Sequence, residues 1–287
     1  MIPSAFEYHA PASLADAIAL LVRLGDDARP LAGGHSLLPM MKLRFAAPAH
    51  LVDLGRIPDL RGIAEVGGAL HVGAMTTEND LVWSKLLAEK VPLLVEGARA
   101  IADPQVRYRG TVGGDLAHGD PGNDHPALML ALDAAFAVRG AGGERMVAAA
   151  DFFQGPYMTA LQPGEVLTRI EVPIPPPGTG WAYEKLKRKI GDFATAAAAV
   201  LLRMDGERIA AASIALTNVG ATPLKARDAE QALVGRRLDE AALTEAAQLA
   251  MEICDPVADQ RGDADYKRAM AGEMTRRALL RARSRAA

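Results

Sequence analysis

Hydrophobic positions in the first 56 residues follow first a helical and then an extended spacing. The helical spacing is kept by four apolar residues, Leu14, Ile18, Leu21 and Val22, which predicts an amphipathic helix. Ser13 suits its N-cap and Gly25 suits its end. The segments 29–32 and 51–54 predict strands. Residues 1–56 therefore predict a small βαβ-like lobe with the order helix, strand, glycine turn, helix and strand.

The pattern changes after residue 56 to strands interspersed with helices. Extended apolar segments predict strands at 70–74, 135–139 and 166–172. Helical spacing predicts helices at 92–101 and 124–133. Residues 57–177 are therefore predicted to form a second α+β unit.

A proline-rich segment at 173–180 separates this unit from the rest of the chain. Its three consecutive prolines lack N–H donors and favour an extended spacer. Two β-rich segments, 195–204 and 208–218, flank the hairpin signal Asp205-Gly206, and helical patterns fill 223–285. We predict three domains: 1–56, 57–177 and 178–287.

Composition narrows the class of protein. Of the 287 residues 50% are apolar and 23% are charged, and the net charge is −3, so no basic face for nucleic acid is indicated. No apolar stretch approaches the roughly 18 residues of a membrane span, and the opening residues lack a basic signal segment. We therefore expect a cytoplasmic protein. Cys254 is the single cysteine, which excludes an intrachain disulfide and a cysteine-ligated iron–sulfur cluster on this chain.

Two glycine segments carry the most chemical information. The first is Ala32-Gly33-Gly34-His35-Ser36, and the second is Thr111-Val112-Gly113-Gly114-Asp115. Glycine allows a ligand close to the backbone and permits positive φ, and successive N–H groups in such a turn can hold an anion. Either segment alone is more often a simple tight turn. The pair predicts a pyrophosphate held between two lobes, and so a dinucleotide.

Several other sites are disfavoured. The chain has no Gly-x-Gly-x-x-Gly after a strand and no P-loop, and Ser36 lies in no nucleophile elbow. His35 could be a base, but a histidine that orients the turn is the favoured interpretation. The polar segment 118–125 fits neither an EF-hand nor a helical zinc motif, so it is interpreted as a loop that binds polyol hydroxyls. We assign no metal ligand and no general acid or base to this chain.

Together these residues resemble the FAD-binding medium subunits of molybdenum hydroxylases, above all those of aerobic carbon monoxide dehydrogenases. The likeness rests on the two glycine segments, on 101–107 and 119–124 around the second one, and on the basic segment 183–194. It spans essentially the whole chain. It implies an α+β fold like that of vanillyl-alcohol oxidase, with two N-terminal α+β subdomains and a C-terminal α+β domain containing a three-stranded antiparallel sheet.

The resemblance also implies residues that bind FAD. Both glycine segments would meet the pyrophosphate, Ile101 and Ala102 would lie near the adenine, and Asp124 would contact the polyol. Leu161, Lys185 and Phe193 would lie around the isoalloxazine. Asp115 departs from the family, which usually has asparagine there. A carboxylate beside a pyrophosphate is unfavourable, so its side chain either points to a hydroxyl or is compensated by a cation.

The implied function is electron transfer. A large partner subunit with a molybdenum–molybdopterin cytosine dinucleotide and copper would oxidise CO with water to CO₂, and a small partner would carry two-iron iron–sulfur clusters. Electrons would pass through FAD on this chain to a quinone-linked acceptor. The expected assembly is a dimer of heterotrimers, peripherally associated with the inner membrane through that acceptor. Alternatives are the flavin subunit of a xanthine or heteroaromatic hydroxylase, a stand-alone FAD oxidase, and a non-enzymatic anion-binding protein.

Overall fold

The computed structural model describes all of residues 1–287, and its first part is a small parallel sheet in the order β1-β3-β2. Helix α1 begins after Ser13, whose hydroxyl accepts the N–H of Asp16, and ends at Gly25 with φ of 57°. Both ends agree with the prediction. Strand β1 was not predicted. The elements are β1 (Glu7–His9), α1 (Leu14–Leu24), β2 (Ala28–Leu31), α2 (Leu37–Lys42) and β3 (His50–Asp53).

The middle part is a five-stranded antiparallel sheet in the order β4-β5-β10-β6-β7, with helices packed on one face. The sheet strands are β4 (Ile63–Val66), β5 (Ala69–Gly73), β6 (Ala135–Gly140), β7 (Gly143–Ala148) and β10 (Val166–Pro173). The helices are α3 (Glu78–Trp83), α4 (Lys85–Lys90), α5 (Pro92–Ala100), α6 (Pro104–Arg107), α7 (Val112–His118), α8 (His125–Ala131) and α9 (Ala149–Phe152). A separate small hairpin consists of β8 (Phe153–Gly155) and β9 (Met158–Thr159).

The C-terminal part is an antiparallel sheet covered by helices. Its three long strands are β11 (Gly180–Leu186), β12 (Ala196–Asp205) and β13 (Arg208–Thr217), and a two-residue strand β14 (Leu224–Lys225) extends the predicted three-stranded sheet by one. The predicted hairpin turn joins β12 to β13. The helices are α10 (Arg227–Leu233), α11 (Glu240–Glu252) and α12 (Ala264–Arg285).

The C-terminal sheet lies between two hydrophobic cores. Alternate residues of a strand point to opposite faces. On β12, Ala197 and Ala199 join the core of the middle part, whereas Ala198 and Val200 join the core under α11 and α12. Small side chains here allow both layers to pack closely. Arg285 of α12 also binds Glu96 of α5, with Nη1 and Oε2 2.7 Å apart. The C-terminal part is thus fastened to the helices that border the candidate site.

The predicted α+β class is confirmed by this architecture. The proline-rich segment lies between β10 and β11. The two domain boundaries, at 56/57 and 177/178, stay a prediction. None of the helices combines the length and apolar character needed to cross a bilayer.

Candidate functional site

A cleft of about 600 Å³ lies where the three parts of the chain meet. Its size is within the range of sites for small molecules and cofactors. Fifteen of the sixteen residues predicted to bind FAD line it. The exception is Val112, which is fully buried in the middle core. The others are Ala32, Gly33, Gly34, His35, Ser36, Ile101, Ala102, Thr111, Gly113, Gly114, Asp115, Asp124, Leu161, Lys185 and Phe193.

The first glycine segment leaves the carboxyl end of β2 as an open turn. Gly34 has φ of 80°, a conformation that a side chain would strain. The four backbone N–H groups of residues 33–36 donate no hydrogen bond within the protein. A Cβ on Gly33 would lie 2.3 Å from the carbonyl oxygen of Arg109. This segment therefore presents free donors to the cleft while it packs tightly on the loop before the second segment.

The second glycine segment is a helix start, and its prediction as a turn with free N–H groups was wrong. Thr111 is the N-cap of α7, and its hydroxyl accepts the N–H of Gly114 at 3.2 Å. The N–H of Gly113 binds the carbonyl of Ala74, and that of Asp115 binds the carbonyl of Thr111. A Cβ on Gly113 would lie 2.4 Å from the Cβ of Ala74. The glycines here permit close packing of the helix, and their N–H groups are already used.

A buried ion pair lies behind this helix start. His125 begins α8, and its Nε2 lies 2.7 Å from Oε2 of Glu78, with both side chains almost fully buried. Burial alone lowers the pKa of His125, but Glu78 and the neighbouring carboxyls outweigh that effect and raise it to about 9. His125 is therefore charged at neutral pH. Sequence inspection included His125 only in a polar segment and gave no sign of Glu78 as its partner.

Asp115 lies close to this ion pair and, like Glu78, lines the cleft. Burial, with the nearby Glu78 and Asp124, raises the pKa of Asp115 to about 8, against the opposing effect of His125. Its Oδ2 is buried and has no hydrogen-bond partner. A carboxyl in this state is neutral at pH 7 and carries a proton that it can donate. The raised pKa weakens the electrostatic objection to a carboxyl group at this position.

Asp124 and Lys185 form a second buried ion pair at the centre of the cleft. Lys185 Nζ lies 2.6 Å from Oδ2 of Asp124, and the two side chains are 4% and 6% exposed. Tyr183, a residue that sequence inspection missed, donates its hydroxyl to the other oxygen of Asp124. Burial raises the pKa of Tyr183 well above its ordinary value. Because the Asp124 carboxylate lies 2.6 Å from Lys185 Nζ, it balances the charge of Lys185 within the protein.

Phe193 and the turn before it form one wall of the cleft. The ring is half exposed, and the guanidinium of Arg261 lies 5.7 Å from its centroid. Arg261 also binds Asp192, with Nη2 and Oδ1 2.7 Å apart, and this bond together with Arg188 lowers the pKa of Asp192 to about 2. Sequence inspection missed Arg261 because it lies 68 residues beyond Phe193 in the chain. The arrangement holds an aromatic face open to the cleft.

The segment Ile101–Ala102 forms another wall and has an unusual backbone. Ala102 adopts φ of 42°, which is rare for a residue with a Cβ. The carbonyl of Ile101 accepts Nη1 of Arg107 at 2.7 Å, and the carbonyl of Ala100 accepts Nζ of Lys185 at 3.3 Å. These bonds hold the strained turn in place beside the cleft.

Comparison with known proteins gives full-length matches. The family "FAD binding domain in molybdopterin dehydrogenase" matches residues 4–175, and "CO dehydrogenase flavoprotein C-terminal domain" matches 181–282. The carbon monoxide dehydrogenase medium chain of Afipia carboxidovorans is 58% identical over 286 residues, 100% of this chain and 99% of that relative. The corresponding chain of Hydrogenophaga pseudoflava is 56% identical over 287 residues, 100% of both chains.

Solved structures agree with these matches. Reconstituted CO dehydrogenase from Oligotropha carboxidovorans superposes with a TM-score of 0.99 at 58% identity, covering 100% of both chains. Quinoline 2-oxidoreductase from Pseudomonas putida 86 superposes with a TM-score of 0.94 at 40% identity, covering 99% of both. The whole fold therefore recurs in these proteins.

Proposed function

The chain belongs to the family of FAD-binding subunits of molybdopterin dehydrogenases, and from this membership we propose that it carries FAD as the medium subunit of a molybdenum-containing carbon monoxide dehydrogenase. The observation that carries the FAD assignment is the run of four free N–H groups at 33–36, which opens into a cleft lined by all three parts of the chain. The full-length likeness to carbon monoxide dehydrogenase medium chains supports the choice of complex.

The pyrophosphate would be held chiefly by the first glycine segment. Successive backbone donors suit an anion, and those of Gly33, Gly34, His35 and Ser36 are unused. The second segment would contribute side chains. The hydroxyl of Thr111 accepts from Gly114 and keeps its own proton for donation. Gly113 would act by packing the helix start against Ala74, which directly follows β5, and Val112 by its burial in the middle core.

Asp115 would take part as a neutral acid. Asp115 lines the cleft beside the helix start, and its buried Oδ2 has no hydrogen-bond partner within the protein. A protonated carboxyl donates a hydrogen bond as the amide of asparagine does, so it can stand where the family usually has asparagine. The residue would then bind a phosphate or hydroxyl oxygen without repulsion.

The remaining predicted residues would bind the rest of the cofactor. Ile101 and Ala102 would border the adenine, Asp124 would meet the polyol, and Leu161, Lys185 and Phe193 would surround the ring. FAD supplies the redox chemistry, and the protein binds and orients it. Lys185 Nζ and Asp124 Oδ2 lie 2.6 Å apart and hold each other in place. The electrostatic field that the protein applies near the ring would therefore be that of an ion pair and not of a single positive charge.

The proposal places the other centres on partner chains. Burial raises the pKa of the Cys254 thiol to about 12 and thus disfavours it as a metal ligand. Electrons would enter from two-iron clusters of a small subunit, and a large molybdenum and copper subunit would oxidise CO. This chain would pass the electrons to a quinone-linked acceptor. The assembly would be a cytoplasmic dimer of heterotrimers associated with the inner membrane face.

Purification of the complex at native expression tests this proposal. We expect a molybdenum subunit and an iron–sulfur subunit to co-purify, with one FAD per copy of this chain and reduction of the FAD by CO. Turnover of an alcohol or of CO by this chain alone would instead favour a stand-alone oxidase. Reduction by xanthine or a heteroaromatic, and not by CO, would indicate another hydroxylase. A complex that neither contains nor takes up FAD would reject the flavin assignment.

A further inference from the structure

A cluster of two histidines and one carboxylate lies on the small parallel sheet, outside the cleft. Glu7 and His9 are two residues apart on β1 and therefore share a face. His50, the first residue of β3, is the register partner of Glu7. Glu7 and His50 are the first residues of β1 and β3, and His9 is the last residue of the three-residue strand β1. None of the three residues lines the cleft.

The three side chains converge on one point. His9 Nε2 and His50 Nδ1 are 3.2 Å apart, and Oε2 of Glu7 lies 3.4 Å from the His50 atom and 3.9 Å from the His9 atom. In the plane of these three atoms the point equidistant from them is about 2.0 Å from each, so an ion at or just outside that plane can reach all three at the lengths of Zn–N and Zn–O bonds. Two imidazoles and one carboxylate are also a donor set that zinc uses in proteins.

From this geometry we propose that Glu7, His9 and His50 bind a divalent zinc ion, with water completing the coordination. Zinc has no geometric preference from its d electrons, so a ligand triangle fixed by strand pairing is sufficient. The two imidazoles are half buried and held by the sheet, and the exposed Glu7 carboxylate closes the site. The ion would tie the three-residue edge strand β1 to the central strand β3, across 43 residues of sequence.

Zinc binding by the full FAD-loaded chain tests the proposal. Equilibrium dialysis against zinc, followed by elemental analysis, should give one saturable zinc per chain, and zinc should raise the melting temperature. His9→Ala and His50→Ala should each weaken zinc binding about tenfold or more and abolish the thermal shift. His71→Ala is the matched control, because His71 is exposed to the same extent, 24%, and lies 3.6 Å from Glu171 but has no second histidine.

The outcomes separate a zinc site from a structural cluster. Zinc binding that His71→Ala retains and that both cluster variants lose supports the site. Absence of saturable zinc, or equal loss in His71→Ala, overturns it. If the histidine variants fail to fold, Glu7→Gln decides, because Glu7 is exposed and its change should not disturb the fold. An unchanged zinc affinity in Glu7→Gln would then reject the proposal.

Discussion

The two glycine segments look alike in sequence and differ in what they offer a ligand. Residues 33–36 form an open turn with Gly34 at φ of 80° and four unused N–H groups. Residues 111–115 are a capped helix start, in which the N–H groups of Gly113, Gly114 and Asp115 are bound within the protein. In the first segment the glycines leave backbone N–H groups free to donate hydrogen bonds, and in the second they allow the helix start to pack closely. A repeated Gly-Gly pair therefore does not imply a repeated role.

The surroundings of the two segments differ as well. The histidine of the first, His35, is exposed. Beside the second lies the buried pair of His125 and Glu78, close to Asp115, whose pKa is raised to about 8. One segment is an accessible binding turn, and the other is part of a buried charge arrangement.

The largest expected effect is on stability, in a comparison of two histidines. His125→Ala leaves the Glu78 carboxylate buried without its partner, and should lower the free energy of unfolding by about 3–5 kcal/mol. His35→Ala removes an exposed side chain and should change it by less than about 0.5 kcal/mol. Urea unfolding of both variants measures the difference. Equal losses would contradict the contrast between the segments.

The next effect is on FAD affinity, in a comparison of two glycines. Gly34→Val puts a branched side chain at positive φ and displaces the donors, so binding should fall more than about 100-fold. Gly114→Ala places a Cβ 2.8 Å from Thr111 Oγ1 and 3.1 Å from Ala32, and should cost about tenfold by moving the cap. Flavin fluorescence titration measures both constants. A larger loss in Gly114→Ala would assign the main phosphate contact to the second segment.

A smaller effect is the pH dependence that Asp115 should give to FAD binding. Because its pKa is raised to about 8, the carboxyl can donate below that pH and becomes a repelling carboxylate above it. FAD affinity should therefore fall from pH 7 to pH 9 in the wild type. In Asp115→Asn the fall should be clearly smaller. An identical fall in both proteins would show that Asp115 does not face the phosphates.

The stability of the same pair of proteins provides an independent check. Between its ordinary pKa of 3.8 and about 8, Asp115 holds a proton in the folded chain that the unfolded chain releases. The proton retained by folded Asp115 makes the free energy of unfolding fall as pH rises through that window. His125 also lowers the free energy of unfolding as pH rises, but only between pH 6.5 and about pH 9. From pH 4.5 to 6, stability should thus fall more steeply, or rise less, in the wild type than in Asp115→Asn.

The smallest expected effect concerns Ala102. Its φ of 42° is strained for alanine but not for glycine. Ala102→Gly should therefore raise the free energy of unfolding by about 0.5–1 kcal/mol. Ala100→Gly, in the last turn of α5, is the control and should lower it by a similar amount. Destabilisation of equal size in both variants would show that the Ala102 backbone is not strained.

Much of the fold could be predicted from local pattern. The cap at Ser13, the stop at Gly25 and the Asp205-Gly206 hairpin act over a few residues, and all three appear in the structure. The residues that line the cleft could be predicted from the motifs and from the family resemblance. The conformation of 111–115 could not be read locally, because Thr111 followed by glycines suits either a turn or a capped helix.

Long-range partners were the main omission. The pairs His125 with Glu78, Lys185 with Asp124, and Phe193 with Arg261 join residues 47 to 68 positions apart. The spacing of residues within one helix or strand gives no information on such long-range pairs. The raised pKa of Asp115 depends on the same burial. A departure from the family pattern at one residue is therefore interpretable only with its neighbours in space.

Amide hydrogen exchange with and without FAD tests most directly the claim that the first segment holds the phosphates by its backbone. Without FAD, the amides of residues 33–36 should exchange rapidly because they are unbonded, while those of 113–115 should already be protected. FAD should strongly slow exchange at 33–36 and change 113–115 little. Equal new protection in both segments, or protection gained only in the second, would contradict the account.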